Sequence, residues 1–207
     1  MKQEFGRIAR VNLAAFYNKI RGVQREFQAP FPPFGNFQVI TNAADISIKG
    51  IEGEFMVTPV TGLTLAAQFG YTDGKYDNIL FDLNADGVID DRDFALKQPR
   101  LSPWSYGGSI TYETAIAGDT FVEGRVSANR RDAAFYNDQN TGLLNAATMV
   151  DASIAIRRGP YRLSVYGTNL LNEATFGTEA PLPFFPGSTF SPLNKGRVYG
   201  VELGYRF

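Results

Sequence analysis

The stretch that most constrains the fold is the last twelve residues, GRVYGVELGYRF, from Gly196 to Phe207. Every second residue there is large and apolar, and the positions between are mostly small or charged. A period of two predicts a β-strand with one face toward an apolar medium and the other toward a polar one. The aromatic residue at 207 is in phase with the apolar face. That favours a membrane strand over its alternative, the edge strand of a soluble domain.

Seven further stretches alternate in the same way, and each is long enough to cross a bilayer as a tilted strand of about 9–11 residues. No apolar run approaches the roughly 18 residues that a membrane helix needs. The predicted strands are Arg7–Ile20, Ile48–Val60, Leu63–Tyr71, Ser105–Thr114, Thr120–Arg130, Thr148–Ile156 and Tyr161–Asn169, followed by the terminal stretch.

The connections between these strands alternate in length. Three are short: Pro59–Gly62, Ala115–Asp119 and Arg157–Pro160. Four are long: Arg21–Ala44, Thr72–Pro103, Arg131–Ala147 and Leu171–Lys195. Bacterial outer-membrane barrels have an even strand number, short periplasmic turns and long outer loops. The sequence therefore predicts an all-β protein, an antiparallel transmembrane β-barrel segment of about eight strands with short periplasmic turns and long extracellular loops.

Composition narrows the possible functions. Lys and Arg total 20 against 21 Asp and Glu, so no electrostatic footprint for nucleic acid is present. The chain has no histidine and no cysteine, which removes the imidazole base of the usual serine triad and the cysteine nucleophile. We therefore expect a protein that is not an enzyme. The first ten residues lack the apolar stretch of a secretory signal, so we expect either that Met1 is not the natural start or that this is the C-terminal part of a longer chain.

Charged residues occupy the polar face of two predicted strands, namely Glu52, Glu54, Glu123 and Arg125. An unpaired carboxylate is costly in a dry core and inexpensive in a wet lumen. An isolated eight-stranded barrel has room inside only for side chains, so Glu52 or Glu123 would have to pair with Arg125 there. We expect instead that this sequence suits a wide lumen.

With these residues in view, the chain resembles the C-terminal part of the TonB-dependent receptors of the Gram-negative outer membrane. The resemblance lies in RVNLAAFYNKI, IKGIEGEFMVTPVTGLTL, YRLSVYGTNLLNEATF and GRVYGVELGYRF, in that order, and covers nearly the whole chain. The terminal strand also resembles the assembly signal of outer-membrane barrels, carried by Tyr199, Val201, Leu203, Tyr205 and Phe207.

The resemblance implies the localisation, the function and the partners. It implies residence in the outer membrane and uptake of a scarce nutrient such as a siderophore or an oligosaccharide. Family members have about 22 barrel strands and an N-terminal plug. The implied partners are therefore membrane lipid, the barrel-assembly machinery, and the N-terminal strands and plug that residues 1–207 lack. Without them we expect no active transport. The alternative is a small eight-stranded structural or adhesive barrel that displays loops.

Two of the long loops are rich in aromatic residues and proline. Proline stiffens a loop, and a stiff aromatic loop loses less entropy when it binds an apolar or ring-bearing ligand. The alternative is that the rings pack loops together or lie at the headgroup belt. The candidate ligand-binding residues are Phe31, Phe34, Phe37, Phe184 and Phe185.

The loop 72–103 contains DLNADGVIDDRD, which has the twelve-residue spacing of an EF-hand calcium loop. In such loops, positions 1, 3, 5, 7, 9 and 12 supply oxygen ligands and a glycine at position 6 makes the sharp turn. Position 12 is Asp in place of the usual Glu, so the loop resembles those of dockerins more than those of sensor proteins. A structural Ca²⁺ is predicted, and the alternative is a solvated acidic loop. The candidate ligands are Asp82, Asn84, Asp86, Val88, Asp90 and Asp93.

Overall fold

The computed structural model describes residues 1–6, 8–30, 33, 36–177, 180–181 and 189–207, with the backbone alone at 27–30, 36–38, 180–181 and 189. Most of the described residues are in β-strands, and one single-turn helix, α1 at Asp91–Phe94, lies between β4 and β5. No helix among these residues is long and apolar enough to cross a membrane. The strands are β1 Lys2–Phe5, β2 Ala9–Pro30, β3 Asn36–Val60, β4 Leu63–Ile79, β5 Trp104–Ala117, β6 Thr120–Arg131, β7 Ala134–Phe135, β8 Leu143–Leu144, β9 Ala147–Arg158, β10 Tyr161–Thr168, β11 Ala180–Pro181, β12 Thr189–Phe190 and β13 Val198–Tyr205.

Nine of the strands form one antiparallel sheet in the order β1-β2-β3-β4-β5-β6-β9-β10-β13. All eight predicted strands are present, and the short β1 is an addition that pairs with the start of β2. β1 and β13 lie at opposite edges of the sheet and do not pair with each other in the described residues, so the barrel is not closed. The prediction of an all-β antiparallel barrel segment is confirmed.

The three predicted short connections are two-residue turns, and all three lie at one end of the sheet, called here the turn end. The opposite end, with the long connections, is called the loop end. Gly62 shows why one turn needs glycine. Its φ is +82°, and a Cβ there would collide with the carbonyl oxygen of Glu113. Without a Cβ, the Gly62 carbonyl accepts a hydrogen bond from the Glu113 amide at 2.9 Å.

The register of the strands places the predicted apolar sets on one face. Val201 pairs with Val165, Val165 with Ile154, and Ile154 with Gly124, so the row runs across four strands. Residues on this outward face are widely exposed, and Leu203 reaches 81%. Exposed apolar side chains in continuous rows are what a bilayer requires of a barrel exterior.

Aromatic side chains mark both ends of the outward apolar band. Tyr71 and Trp104 pair across β4 and β5 near the loop end, with ring centroids 4.7 Å apart. Tyr161 and Tyr205 pair across β10 and β13 at the turn end, with centroids 5.3 Å apart. Aromatic girdles at both interfaces are typical of transmembrane barrels. The band between them is therefore the part of the sheet that fits the hydrocarbon.

Three strands run well past this band, which corrects the predicted loop boundaries. β2 has 22 residues and β3 has 25, so most of the predicted loop Arg21–Ala44 is strand. β4 likewise continues to Ile79, inside the predicted loop 72–103. A 25-residue strand is roughly 80 Å long at about 3.3 Å per residue, far more than the roughly 10 residues that a bilayer needs. The apolar alternation stops at the aromatic girdle because the outward positions then face water.

A small hydrophobic core lies at the loop end on the inner face of β3 and β4. Its buried members are Ala43, Ala44, Ile46, Tyr76, Ile79 and Leu83, and Val23, Ile48 and Leu96 pack against it. Leu83 and Leu96 belong to the connection after β4, so this connection folds back onto the sheet. The acidic motif is held against the protein by this packing.

A polar network ties the β2–β3 hairpin to the connection between β6 and β9. Arg25 Nε donates to Asp138 Oδ1 at 2.6 Å, and Arg25 Nη2 donates to Gln98 Oε1 at 3.2 Å. The Tyr76 hydroxyl donates to the same Asp138 oxygen at 3.2 Å. Burial, followed by the Asp138 charge, raises the pKa of the Tyr76 phenol far above its usual value. Tyr76 is therefore a neutral donor at any physiological pH.

Candidate lumen-facing site

The inner face of the sheet carries the polar residues and lines an open cavity of about 560 Å³. Its walls come from strands as far apart as β3 and β9, which shows that this face is concave. The side chains that converge on the cavity are mostly acids, amides and arginine. The polar ones are Glu52, Glu54, Gln68, Ser105, Asn129, Arg131, Thr175 and Asn194.

The acidic flank of the cavity is formed by Glu52 and Glu54 of β3. Both alternate with the outward residues Ile51, Gly53 and Phe55, so the strand pleat alone places the two carboxylates inward. Asn12 Nδ2 donates to Glu54 Oε2 at 3.0 Å from the paired position on β2. The inward position of Glu52 and Glu54 agrees with the polar lumen that the sequence predicts.

The floor of the cavity is bridged by two amide side chains. Gln68 Nε2 donates to Asn129 Oδ1 at 2.8 Å. These residues lie on β4 and β6, and the residue between them on β5 is Gly107. A Cβ at Gly107 would collide with Asn129 Oδ1 and lie 2.9 Å from Gln68 Nε2. Glycine at this position therefore permits the bridge.

Two described parts of the last long connection, around Thr175 and Asn194, border the cavity. Phe176 and Leu193 form a β-bridge, and Asn194 Nδ2 donates to Thr175 Oγ1 at 3.0 Å. Thr175 is buried. Because Thr175 and Asn194 line the same cavity as Glu52, these two parts of the connection lie against the inner face of the sheet. Donors and acceptors of this kind suit hydrogen bonding to a polar molecule or to another protein surface.

The charges nearer the turn end pair across strands. Arg162 Nη2 donates to Glu123 Oε1 at 3.2 Å, although their strands are separated by β9. Arg125 Nη1 donates instead to Thr111 Oγ1 at 3.0 Å. The Glu123–Arg125 pairing expected for an isolated small barrel is therefore not formed. The observed partner, Arg162, could not be predicted without the strand register.

The acidic motif folds into a series of turns in which side-chain oxygens accept hydrogen bonds from backbone amides. Asp82 Oδ1 accepts from the Ala85 amide at 2.8 Å, and Asp82 Oδ2 accepts from the Gly87 amide at 2.6 Å. Gly87 has a φ of +91°, as expected for the sharp turn at position 6. The Asn84 and Asp86 side chains accept from amides two residues ahead at 2.8 and 3.1 Å.

The remaining acidic residues anchor the loop to α1. Asp93 is fully buried, and its Oδ1 accepts from the Leu83 and Asn84 amides at 2.9 and 3.0 Å. Asp90 caps α1, while Arg92 Nη2 lies 2.9 Å from Asp86 Oδ2 and 2.8 Å from Asp90 Oδ2. The Arg92 hydrogen bonds hold the pKa of the Asp90 carboxyl below its usual range.

The calcium site stays a prediction. Among the described residues, no group of three or more acidic side chains is arranged to hold a metal ion. Within the loop, Arg92 provides the positive charge between Asp86 and Asp90. Val88, the residue expected to offer a carbonyl, is exposed.

The aromatic ligand residues also stay a prediction. Phe31, Phe34, Phe184 and Phe185 lie outside the described residues, and Phe37 is described only as backbone in β3.

A comparison with family models decides the family. The TonB-dependent receptor-like β-barrel model matches residues 3–170. The chain belongs to this family. Membership in a receptor family agrees with the expectation that the chain is not an enzyme, and it confirms the resemblance read from the sequence.

Solved structures of TonB-dependent receptors have the same fold. The chain is similar to the ferric yersiniabactin uptake receptor FyuA of Yersinia pestis, with a TM-score of 0.80 at 16% identity over 100% of this chain and 28% of that one. It is similar to BauA, the ferric preacinetobactin receptor of Acinetobacter baumannii, with a TM-score of 0.69 at 16% identity over 99% of this chain and 28% of that one. It is also similar to the copper transporter OprC, with a TM-score of 0.73 at 14% identity over 100% of this chain and 30% of that one.

The chain therefore spans less than a third of the length of these receptors. It corresponds to part of a barrel, as the open sheet indicates.

Proposed function

We propose that this TonB-dependent receptor segment forms part of the wall of an outer-membrane uptake channel. The polar inner face of the sheet, which carries Glu52 and Asn129, lines the lumen of that channel. The observation that carries the proposal is the division of the sheet into an exposed apolar outer face and a concave polar inner face. Strands with apolar residues outward and polar residues inward suit a wall between lipid and a water-filled lumen.

The cargo class we propose is a metal chelate, of the siderophore kind or a related small metal complex. FyuA is a ferric yersiniabactin uptake receptor, BauA is a ferric preacinetobactin receptor, and OprC is a copper transporter. In this chain, the lumen face offers carboxylates and amides that suit the hydroxyl and carbonyl groups of a polar chelate. An oligosaccharide shares these hydrogen-bonding groups and is the second candidate cargo.

In this proposal, transport requires further barrel strands and a plug in addition to residues 1–207. The edges at β1 and β13 leave backbone donors and acceptors without a neighbouring strand, at a cost of several kcal/mol per group in lipid. We propose that further barrel strands pair with these edges, that a plug occupies the lumen, and that the assembly machinery recognises the terminal strand. The small-barrel alternative would require β13 to pair with the first strand of the same chain.

The test is uptake of a radiolabelled ferric siderophore by Gram-negative cells whose own receptors are deleted. Cells that make the chain together with the strands and plug of its receptor should accumulate iron, and collapse of the proton-motive force should stop them. Cells that make residues 1–207 alone should not accumulate it. Energised uptake by the second strain would contradict the proposed dependence on the missing parts.

We also propose that the Asp82–Asp93 loop binds a structural Ca²⁺ at the loop end. Support comes from the twelve-residue spacing, from the positive φ of Gly87 and from the backbone turns that Asp82 and Asn84 already make. Binding would require Arg92 to leave its position between Asp86 and Asp90. The ion would order the loop and would take no part in a reaction.

A further inference from the structure

We propose that the outward groove at the turn end binds the phosphate of an anionic phospholipid, with Arg158 as the phosphate-binding residue. This inference rests on the membrane insertion proposed above and adds a specific lipid site to it. The groove has a volume of about 440 Å³ and lies on the outward face of β9, β10 and β13. Its outward side chains are Thr120 of the neighbouring β6 together with Ile156, Arg158, Tyr161, Leu163, Leu203 and Tyr205.

The side of the groove toward the bilayer centre is apolar. Ile156 pairs with Leu163, and Leu163 pairs with Leu203, so the three side chains form one row across adjacent strands. All three are exposed. A row of exposed branched aliphatic side chains at this depth gives an acyl chain a surface to lie against.

The side toward the turns is polar and aromatic. The next row runs from Arg158 through Tyr161 to Tyr205. The two tyrosine rings are 5.3 Å apart and both are exposed. Tyrosine at this level has its ring among acyl chains and its hydroxyl among headgroups. The row therefore presents one guanidinium and two phenol hydroxyls at headgroup depth.

The charge of Arg158 is available to a phosphate. Its neighbour is Asp119, with Nε and Oδ1 at 3.6 Å, and the two side chains are 79% and 67% exposed. Such an exposed pair is weak. The planar guanidinium forms two parallel hydrogen bonds to a phosphate more readily than it holds a single distant carboxylate. A phospholipid phosphate can therefore replace Asp119.

The adjacent residue, Arg157, offers a matched contrast. It lies on the inner face, with its guanidinium 4.5 Å from the centre of the Phe121 ring.

The outward lysines at the loop end also differ from Arg158. Lys49 lies 3.5 Å from Asp73, and Lys19 and Lys75 both lie within 4 Å of Asp77. Among these outward cations, Arg158 alone has both an apolar groove and tyrosine hydroxyls beside it.

The proposal can be tested by native mass spectrometry of the full-length protein from its own cells. The protein is purified in detergent and mixed with equal amounts of phosphatidylglycerol and phosphatidylcholine of the same acyl chains. We expect preferential retention of phosphatidylglycerol. Arg158→Gln should reduce that preference roughly two- to five-fold, which is the range of an exposed charge pair. Asp119→Asn should increase it because Arg158 loses its competing partner, and Arg157→Gln should leave it unchanged.

Two results would overturn the site. One is an unchanged preference in Arg158→Gln, and the other is an equal loss in Arg157→Gln. To separate this failure from a failure of insertion, Val201→Cys is added to the same variants. The variants are then treated with a water-soluble maleimide in vesicles. Protection of that cysteine without a headgroup preference rejects the lipid site and leaves the channel proposal standing. Labelling of that cysteine rejects membrane insertion, and the lipid site with it.

Discussion

Gln68 and Asn129 are joined by a 2.8 Å hydrogen bond that passes over Gly107, on the strand between them. The bond spans two strand spacings, which is possible because the intervening residue has no side chain. It links β4 to β6 on the lumen face, where each side chain would otherwise hydrogen-bond to water. The position of one glycine thus determines how two polar residues are arranged in the candidate site.

Replacement of this glycine should break the bridge. We expect Gly107→Val to lower the free energy of unfolding by about 1–3 kcal/mol, because the new side chain overlaps Asn129 and separates the two amides. The matched control is Gly124→Val on the outward face, where a Cβ meets nothing within 4 Å. Urea unfolding in vesicles measures both. Equal destabilisation by the two variants would show that the bridge contributes nothing specific.

The orientation of the sheet can be tested by cysteine labelling in whole cells. Val126→Cys and Val201→Cys should resist a water-soluble maleimide because both side chains lie on the exposed outward face between the aromatic girdles. Asp91→Cys, in the connection after β4, should label in intact cells, whereas Asp119→Cys should label only after the outer membrane is opened. The reverse result for Asp91 and Asp119 would invert the topology.

Phe207 should matter for assembly more than for stability of the folded sheet. Its side chain is fully exposed, and its ring lies 6.3 Å from that of Tyr205. An exposed side chain contributes little to the stability of the folded sheet, so we expect Phe207→Asp to act on assembly and to leave the chain in the periplasm. Phe207→Tyr, which keeps an aromatic ring, should assemble normally. Fractionation of the cell envelope followed by immunoblotting measures the difference. Normal insertion of Phe207→Asp would reject the assembly-signal prediction.

The cap of α1 should depend on pH. The Arg92 hydrogen bonds lower the pKa of Asp90 from its ordinary value of 3.8, so the ionised cap contributes stability above that value. The contribution is lost as the pH falls through the lowered pKa of the folded state. The amide signal of Arg92, followed by NMR, should therefore stay constant from neutral pH down to about pH 4 and shift below it. In Arg92→Gln, we expect the shift to begin at higher pH, and coincident titrations would contradict the pairing.

The outward face could be predicted from the sequence because lipid imposes its own pattern. Val201, Leu203 and Tyr205 alternate with small or charged residues because one face meets hydrocarbon, so the sequence predicts the membrane portion of each strand. It does not predict the loop-end extensions of β2, β3 and β4, because Asp73 and Lys75 occupy outward positions once the strand reaches water. Alternation of apolar residues therefore predicts only the part of a strand that crosses the bilayer, not the full length of the strand.

The lumen-facing site was predicted only in part. The inward direction of Glu52 and Glu54 follows from the alternation along β3. The Gln68–Asn129 bridge and the Arg162–Glu123 pair do not, because each joins strands separated by another strand. Their partners depend on the register between strands joined by long connections, β4 with β5 and β6 with β9, and on the register shift between Ala115 and Ala117 in β5.

Calcium binding by the Asp82–Asp93 loop should compete with Arg92, which lies between Asp86 and Asp90 at 2.9 and 2.8 Å. Removal of this guanidinium leaves the two carboxylates without their cation, so Arg92→Ala should bind Ca²⁺ more tightly than the native chain. Asp82→Ala combined with Asp86→Ala should abolish binding because it removes two side-chain ligands. The matched control is Asp91→Ala, which lies in the same loop outside the ligand positions. Isothermal titration of the protein in detergent at millimolar Ca²⁺ measures all four. No heat of binding in either the native chain or Arg92→Ala would reject the site, and so would unchanged binding after loss of Asp82 and Asp86.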